Sequence, residues 1–233
     1  MPDPFIREFT DITADPKVRG FLHTPTNPNG DGLVLSHGAG SNAQAPLLVA
    51  LAETFAAAGF TVLRCDLPYR QTRSFGPPGP GDAARDRAGL SNALVAMRKI
   101  VSGRLILAGH SYGGRQSSML CAELAKQSRE EAANLPAALL LLSYPLHPPR
   151  KPEQQRTQHL PDLRTPTLFV HGTRDPFGSI AELEQAMKMI PAKTKLVAIE
   201  GAGHDLGFKG RAKQEELPDL ILSELVKSLD LPR

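Results

Sequence analysis

The amino-acid sequence predicts an α/β fold, a mostly parallel sheet of about eight strands with helices on both faces. Three observations point there. From Leu33 onward, short strand-like runs alternate with helix-like segments to the C-terminus. Most of those runs are apolar throughout, as strands covered on both faces are. One of them, Arg104–Ala108, leads directly into Gly109-His110-Ser111-Tyr112-Gly113 and a helix-like segment. A strand that turns sharply into a helix at Gly-x-Ser-x-Gly lifts one serine hydroxyl clear of the sheet.

Phe5–Thr10 and Lys17–Thr24 read as two opening strands around Asp15-Pro16, adding an antiparallel edge. The turn-rich stretch Pro25–Gly32 leads to a buried strand at Leu33–Ser36. Leu47, Leu48, Leu51, Ala52 and Phe55 recur at helical spacing over Ala45–Ala58, and Gly59 closes that helix. Phe60–Cys65 is the next strand. Asp66–Gly81, with Pro68, Pro77, Pro78 and Pro80, reads as a loop, and Asp82 caps a helix to about Val101. Tyr112–Gln127 is a helix, and Ala137–Ser143, Thr167–Val170 and Thr194–Ile199 are strands. Helices are expected at Ile180–Ile190 and at Lys213–Leu229, the latter interrupted by Pro218.

A length of 233 residues suits one domain spanning residues 1–233. The net charge of +3 is small and its basic residues are scattered, which argues against nucleic-acid and membrane partners. Two cysteines, Cys65 and Cys121, build neither a disulfide framework nor a metal cluster. No apolar signal region stands at the N-terminus, and the aliphatic run Ala137–Leu142 is far shorter than a membrane span. The expected setting is therefore cytoplasmic.

The pentapeptide alone arises by chance in roughly 8% of chains this long, so the serine needs partners to carry weight. A serine hydroxyl requires a base, an acid to orient the base, and donors for the developing oxyanion. In parallel sheets such groups gather beyond the carboxyl ends of strands. Asp175 follows the Thr167–Val170 strand, and His204 follows Thr194–Ile199 on the glycine-rich loop Glu200–Asp205. The order Ser111, Asp175, His204 is that of a hydrolase triad. The oxyanion donors are expected to be the Tyr112 amide and the Ala39 amide, with Gly40 as the alternative, from His37-Gly38-Ala39-Gly40. His37 is read as bracing that loop.

Those residues together resemble the α/β-hydrolase superfamily over nearly the whole chain. Ser143-Tyr144-Pro145-Leu146-His147-Pro148-Pro149, His159-Leu160-Pro161-Asp162 and the stretch Thr167–Gly178 resemble one small branch of predicted bacterial hydrolases. That branch is similar to the hydrolase-like domain of a nuclear histone-acetyltransferase-complex regulatory subunit and to a testis-expressed relative. The resemblance implies a compact hydrolase, and some members serve as interaction modules.

The expected function is hydrolysis of an ester or thioester of a small or medium acyl substrate, with no metal and no organic cofactor. The short, proline-rich connection Tyr144–Pro166 leaves no room for a cap domain. Tyr69, Arg70, Arg73 and Phe75 in the loop after Phe60–Cys65, and Tyr144 after Ala137–Ser143, are candidates to touch substrate. Two other classes compete. One is a non-catalytic interaction module on the same fold. The other is a dinucleotide site, because Gly38-x-Gly40-x-x-Ala43 follows a strand and Asp66 ends the next one 23 residues on (66 − 43).

Overall fold

A computed structural model of the protein describes residues 5–127, 135–208 and 211–228. The chain opens with β1 (Phe5–Asp11) and β2 (Val18–Thr24), an antiparallel pair. Strand β3 (Gly32–Ser36), helix α1 (Pro46–Ala57) and strand β4 (Thr61–Cys65) follow. A short helix α2 (Pro68–Thr72) and a long one, α3 (Asp82–Arg98), lead to β5 (Leu105–His110). Next come α4 (Tyr112–Leu124), β6 (Ala138–Leu142), a single 3₁₀ turn at Leu160–Asp162, and β7 (Thr167–Gly172). Helix α5 (Ile180–Met187), β8 (Thr194–Ile199) and α6 (Arg211–Ser228) complete the described chain.

All eight strands form one sheet in the order β1-β2-β4-β3-β5-β6-β7-β8. The pairs β1/β2 and β2/β4 are antiparallel, and every other pair is parallel. Alternation along the central strands divides their apolar side chains between two cores, because successive residues face opposite sides of a sheet. Val34, Leu105, Leu107, Leu139 and Leu141 pack with α3 and α4 through Leu90, Leu94, Met97, Leu120 and Cys121. Leu33, Leu35, Ile106, Ala108 and Leu140 pack on the other face with Leu48, Leu51 and Phe55 of α1 and Ile221 and Leu225 of α6. Burial on both faces is what makes these strands apolar throughout.

β3 lies between β4 and β5, so the crossovers leaving β3 and entering β5 run to opposite sides of it. A crevice opens beyond the carboxyl ends of the strands at such a point. The loop after β3 and the turn after β5 are its walls.

Three expectations are corrected. Asp66–Gly81 is not loop throughout, because Pro68 takes the first position of α2, where its fixed φ and missing N–H cost nothing. Gly81, not Asp82, is the N-cap of α3; Asp82 sits in the first turn and accepts from the Gly79 N–H at 2.6 Å. Helix α6 runs through Pro218, with Leu217, Ile221 and Leu225 buried against the sheet on either side. That burial outweighs the hydrogen bond a proline forfeits. The expected end of this helix, Leu229, lies outside the described residues. Among the described residues no helix is long and apolar enough to cross a membrane.

Candidate active site

Ser111 sits between β5 and α4 with φ 51° and ψ −114°, a conformation L-residues rarely adopt. The flanking glycines make that turn possible. A Cβ at Gly109 would overlap the backbone of Gly113 and Gly114 across the turn. A Cβ at Gly113 would stand 2.5 Å from the His37 carbonyl and 2.6 Å from Ser36 Oγ, so this glycine clears the neighbouring strand instead.

Two further strand ends converge on the serine. Asp175 follows β7, and its side chain is fully enclosed. Its Oδ1 accepts from the Phe177 N–H at 2.9 Å, and its Oδ2 lies 2.8 Å from His204 Nδ1. An ionised carboxylate only accepts, so Nδ1 carries the imidazole proton. The other nitrogen, Nε2, is then free to accept from Ser111 Oγ, 2.8 Å away. Gly172, the last residue of β7, permits this arrangement: a Cβ there would overlap the Ala202 carbonyl and stand 2.6 Å from that of Gly203.

Around His204 two rings limit its movement. Phe177 lies 4.3 Å away, centroid to centroid, and His110 5.3 Å away. His110 Nε2 donates to the His204 carbonyl at 2.9 Å, and burial pushes His110 down to about 4, so it stays neutral. His171, wholly buried and 3.7 Å from Asp175 Oδ2, donates to the Gly178 carbonyl at 2.8 Å. Burial holds it below the usual imidazole range.

The loop after β3 is braced from beneath. His37 Nδ1 donates to the Gly38 carbonyl at 2.9 Å, while Nε2 accepts from the Leu67 N–H at 3.1 Å. Both nitrogens are engaged, and burial favours the neutral ring. Ala39 lines a cleft of about 270 Å³ with Ser111, His110, His204, Leu47 and Phe208. Gly40, at φ 78°, turns the chain. Tyr112 is the first residue of α4, where a backbone N–H has no intrahelical acceptor.

Tyr69, Arg70 and Tyr144 were expected to face substrate, and the structure turns all three inward. Tyr69 is 2% exposed and donates its hydroxyl to the Gly38 carbonyl at 3.2 Å. Arg70 donates to the carbonyls of Ser41 (2.6 Å), Arg73 (3.0 Å) and Gly76 (2.7 Å). Tyr144 is 1% exposed and donates to the Arg156 carbonyl at 2.8 Å. Arg73 is ion-paired with Asp82, and Phe75 is exposed. Tyr69, Arg70 and Tyr144 hold loop backbone rather than line the cleft.

The elements of the dinucleotide reading are occupied in another way. Asp66 Oδ1 accepts from the Ala43 N–H at 2.8 Å and Oδ2 from Arg19 at 3.2 Å. The acid that would hold a ribose ties the loop after β3 to β2. Leu47 and Phe208 carry no motif of their own, and only the fold brings them to the cleft.

The sheet order and the strained strand-to-helix turn at Ser111 define an α/β-hydrolase fold. A model of the alpha/beta hydrolase domain matches residues 30–229, and the chain belongs to that family. Dienelactone hydrolase from Anabaena variabilis superposes with a TM-score of 0.72 at 22% identity, covering 97% of this chain and 98% of that one. Est1E from Butyrivibrio proteoclasticus does so at 0.69 and 16% identity, covering 98% and 100%. XC6422 from Xanthomonas campestris, described as an α/β serine hydrolase without a lid, gives 0.65 and 14%, covering 97% and 96%. A 48-residue stretch is 52% identical to part of polyketide synthase ThaQ from Burkholderia thailandensis. It covers 21% of this chain and 2% of that much longer protein.

Proposed function

We propose that the protein is a serine hydrolase of carboxylesterase or thioesterase type, acting on a small-molecule acyl substrate through an acyl-enzyme on Ser111. The observation that carries this reading is the continuous line from Asp175 Oδ2 through His204 to Ser111 Oγ, with 2.8 Å at each contact. In this reading Ser111 Oγ attacks the carbonyl carbon while His204 Nε2 takes the hydroxyl proton, and Asp175 holds the imidazole in the required tautomer. The amides of Tyr112 and Ala39 receive the oxyanion, with Gly40 as the alternative donor. His204 then returns the proton to the leaving oxygen or sulfur, and activates the water that releases the acid.

The cleft supports a small or medium acyl group. Pro46, Leu47, Leu48 and Phe208 give it an apolar wall, and a cleft of about 270 Å³ suits a short acyl chain. The connection between β6 and β7 holds no helix beyond one 3₁₀ turn, which supports an open entrance. The two free, buried thiols suit a reducing compartment, and a cytoplasmic setting belongs to the proposal. So does membership of the small branch that the stretches around Tyr144 and Asp175 resemble.

A fluorophosphonate probe tests the reading. The protein is expected to be labelled, and Ser111→Ala to lose both labelling and ester turnover with an unchanged circular-dichroism spectrum. Absence of labelling in the parent protein would reassign the fold to an interaction module.

A further inference from the structure

A second polar cluster lies where α4 meets the connection from β6 to β7. Arg115 follows Ser111 by about one helical turn, and its N–H donates to the Ser111 carbonyl at 3.0 Å. Helical side chains lean toward the N-terminus of their helix, so the Arg115 stem leans toward the end of α4 that carries the serine. Its Nε is buried without a hydrogen-bond partner. Among the described residues no carboxylate forms an ion pair with Arg115. Gln116 is wholly buried; its Oε1 accepts from Arg87 at 3.0 Å, and its Nε2 has no partner.

The connection adds a second cation from the same end of the sheet. Tyr144 fixes the Arg156 backbone, and Arg156 Nη1 donates only to the Pro145 carbonyl at 3.2 Å, with no carboxylate paired to it among the described residues. His159 Nε2 meets Ser118 Oγ at 2.8 Å. Burial first, then the charges of Arg115 and Arg87, push His159 down to about 4, so it is neutral near pH 7. Arg115 likewise acts through its charge on Tyr144 and Arg156. The nearby carboxylates are held elsewhere: Glu123 by Arg87 at 2.8 Å, and Asp162 by Lys126 at 2.6 Å.

We propose that Arg115 and Arg156 form a binding site for an anionic oxygen group, a carboxylate or a phosphate, carried by the substrate. The proposal rests on the serine-hydrolase reading and narrows it to esters or thioesters with an acidic arm. Two guanidiniums lacking carboxylate partners supply charge-assisted donors in a geometry that suits planar oxyanions. The same anion would satisfy the buried Arg115 Nε, which otherwise stays desolvated and unpaired. The apolar cleft beside Phe208 takes the opposite arm.

Two ester pairs test this, one charged on the acyl side and one on the alcohol side: p-nitrophenyl succinate monoester against p-nitrophenyl butyrate, and 4-acetoxybenzoate against phenyl acetate. The charged member of at least one pair is expected to have the higher kcat/KM. That ratio should fall about tenfold or more in Arg115→Gln and in Arg156→Gln, and stay unchanged in the exposed-site control Lys151→Gln. No preference in either pair, or an equal fall in the control, overturns the proposal. Calorimetric titration of Ser111→Ala with succinate and with inorganic phosphate reads the site without catalysis and separates the two anions. Binding that disappears when Arg115→Gln is added upholds the site even if fluorophosphonate labelling fails, in which case only the hydrolase reading falls. No binding of either anion overturns the site.

Discussion

The phenol of Tyr112 donates to the buried carboxylate of Asp86 at 2.7 Å. Asp86 also accepts from the Tyr69 N–H at 3.0 Å, and the Tyr69 hydroxyl holds the Gly38 carbonyl. One carboxylate on α3 therefore ties together the two chain segments that carry the expected oxyanion donors, the start of α4 and the loop after β3. Its burial raises its own carboxyl above the usual range, so the position is costly and its donors hold it in place.

Asp86→Ala should leave the Tyr112 hydroxyl and the Tyr69 N–H without an acceptor, at about 2–4 kcal/mol of stability. Loss of one oxyanion donor typically costs about 10²–10³ in kcat, and a displaced one should cost about 10–100 with KM little changed. Asp86→Asn is expected to recover most of this, since its amide oxygen can serve the Tyr69 N–H and its NH₂ can donate to the Tyr112 oxygen. Steady-state kinetics and urea unfolding on both variants check it. A KM change without a kcat change would assign Asp86 to substrate binding instead.

How the site could be read from sequence follows from what each residue does. Ser111, Asp175 and His204 each follow a strand of the parallel part of the sheet, and a parallel sheet collects its strand ends on one side, so their meeting was legible from order alone. Tyr69, Arg70 and Tyr144 also follow strands, yet their polar atoms turn inward to backbone carbonyls. Nothing in a loop sequence separates an arginine that meets solvent from one that holds Ser41, Arg73 and Gly76 together. Helix α2 hid among prolines because Pro68 reads as a loop signal and acts as a helix start. Asp86 was invisible because its partners lie 17 and 26 residues away in the chain, on elements whose packing only the fold defines.

Gly172 gives a steric test of the same geometry. Its missing side chain lets the Ala202–Gly203 backbone lie against the end of β7, and the Arg174 N–H closes that contact on the Ala202 carbonyl at 2.9 Å. Gly172→Ala should push the loop carrying His204 away from Asp175 and Ser111. A displacement near 1 Å at reacting groups costs about 10²-fold in rate. Ester turnover and fluorophosphonate labelling are both expected to slow by about that factor, with a lower melting temperature. Unchanged labelling would show that the loop absorbs the methyl without moving the imidazole.

His23 supplies the pH prediction. It is wholly buried, and its Nε2 accepts from Arg64 Nε at 2.8 Å, a bond that requires the neutral ring. Burial, and then the Arg64 charge, push His23 down to about 4 from the ordinary 6.5. Between those two values the unfolded chain binds a proton that the folded protein refuses, so stability rises with pH across the window and falls as pH drops from 6.5 toward 4. One proton corresponds to a slope of at most about 1.4 kcal/mol per pH unit. His23→Gln keeps an acceptor for Arg64 and removes the titration. Urea unfolding at a series of pH values should therefore give a shallower dependence for the variant over this window than for the parent. Parallel curves would mean that His23 protonates in the folded state and that Arg64 has another partner.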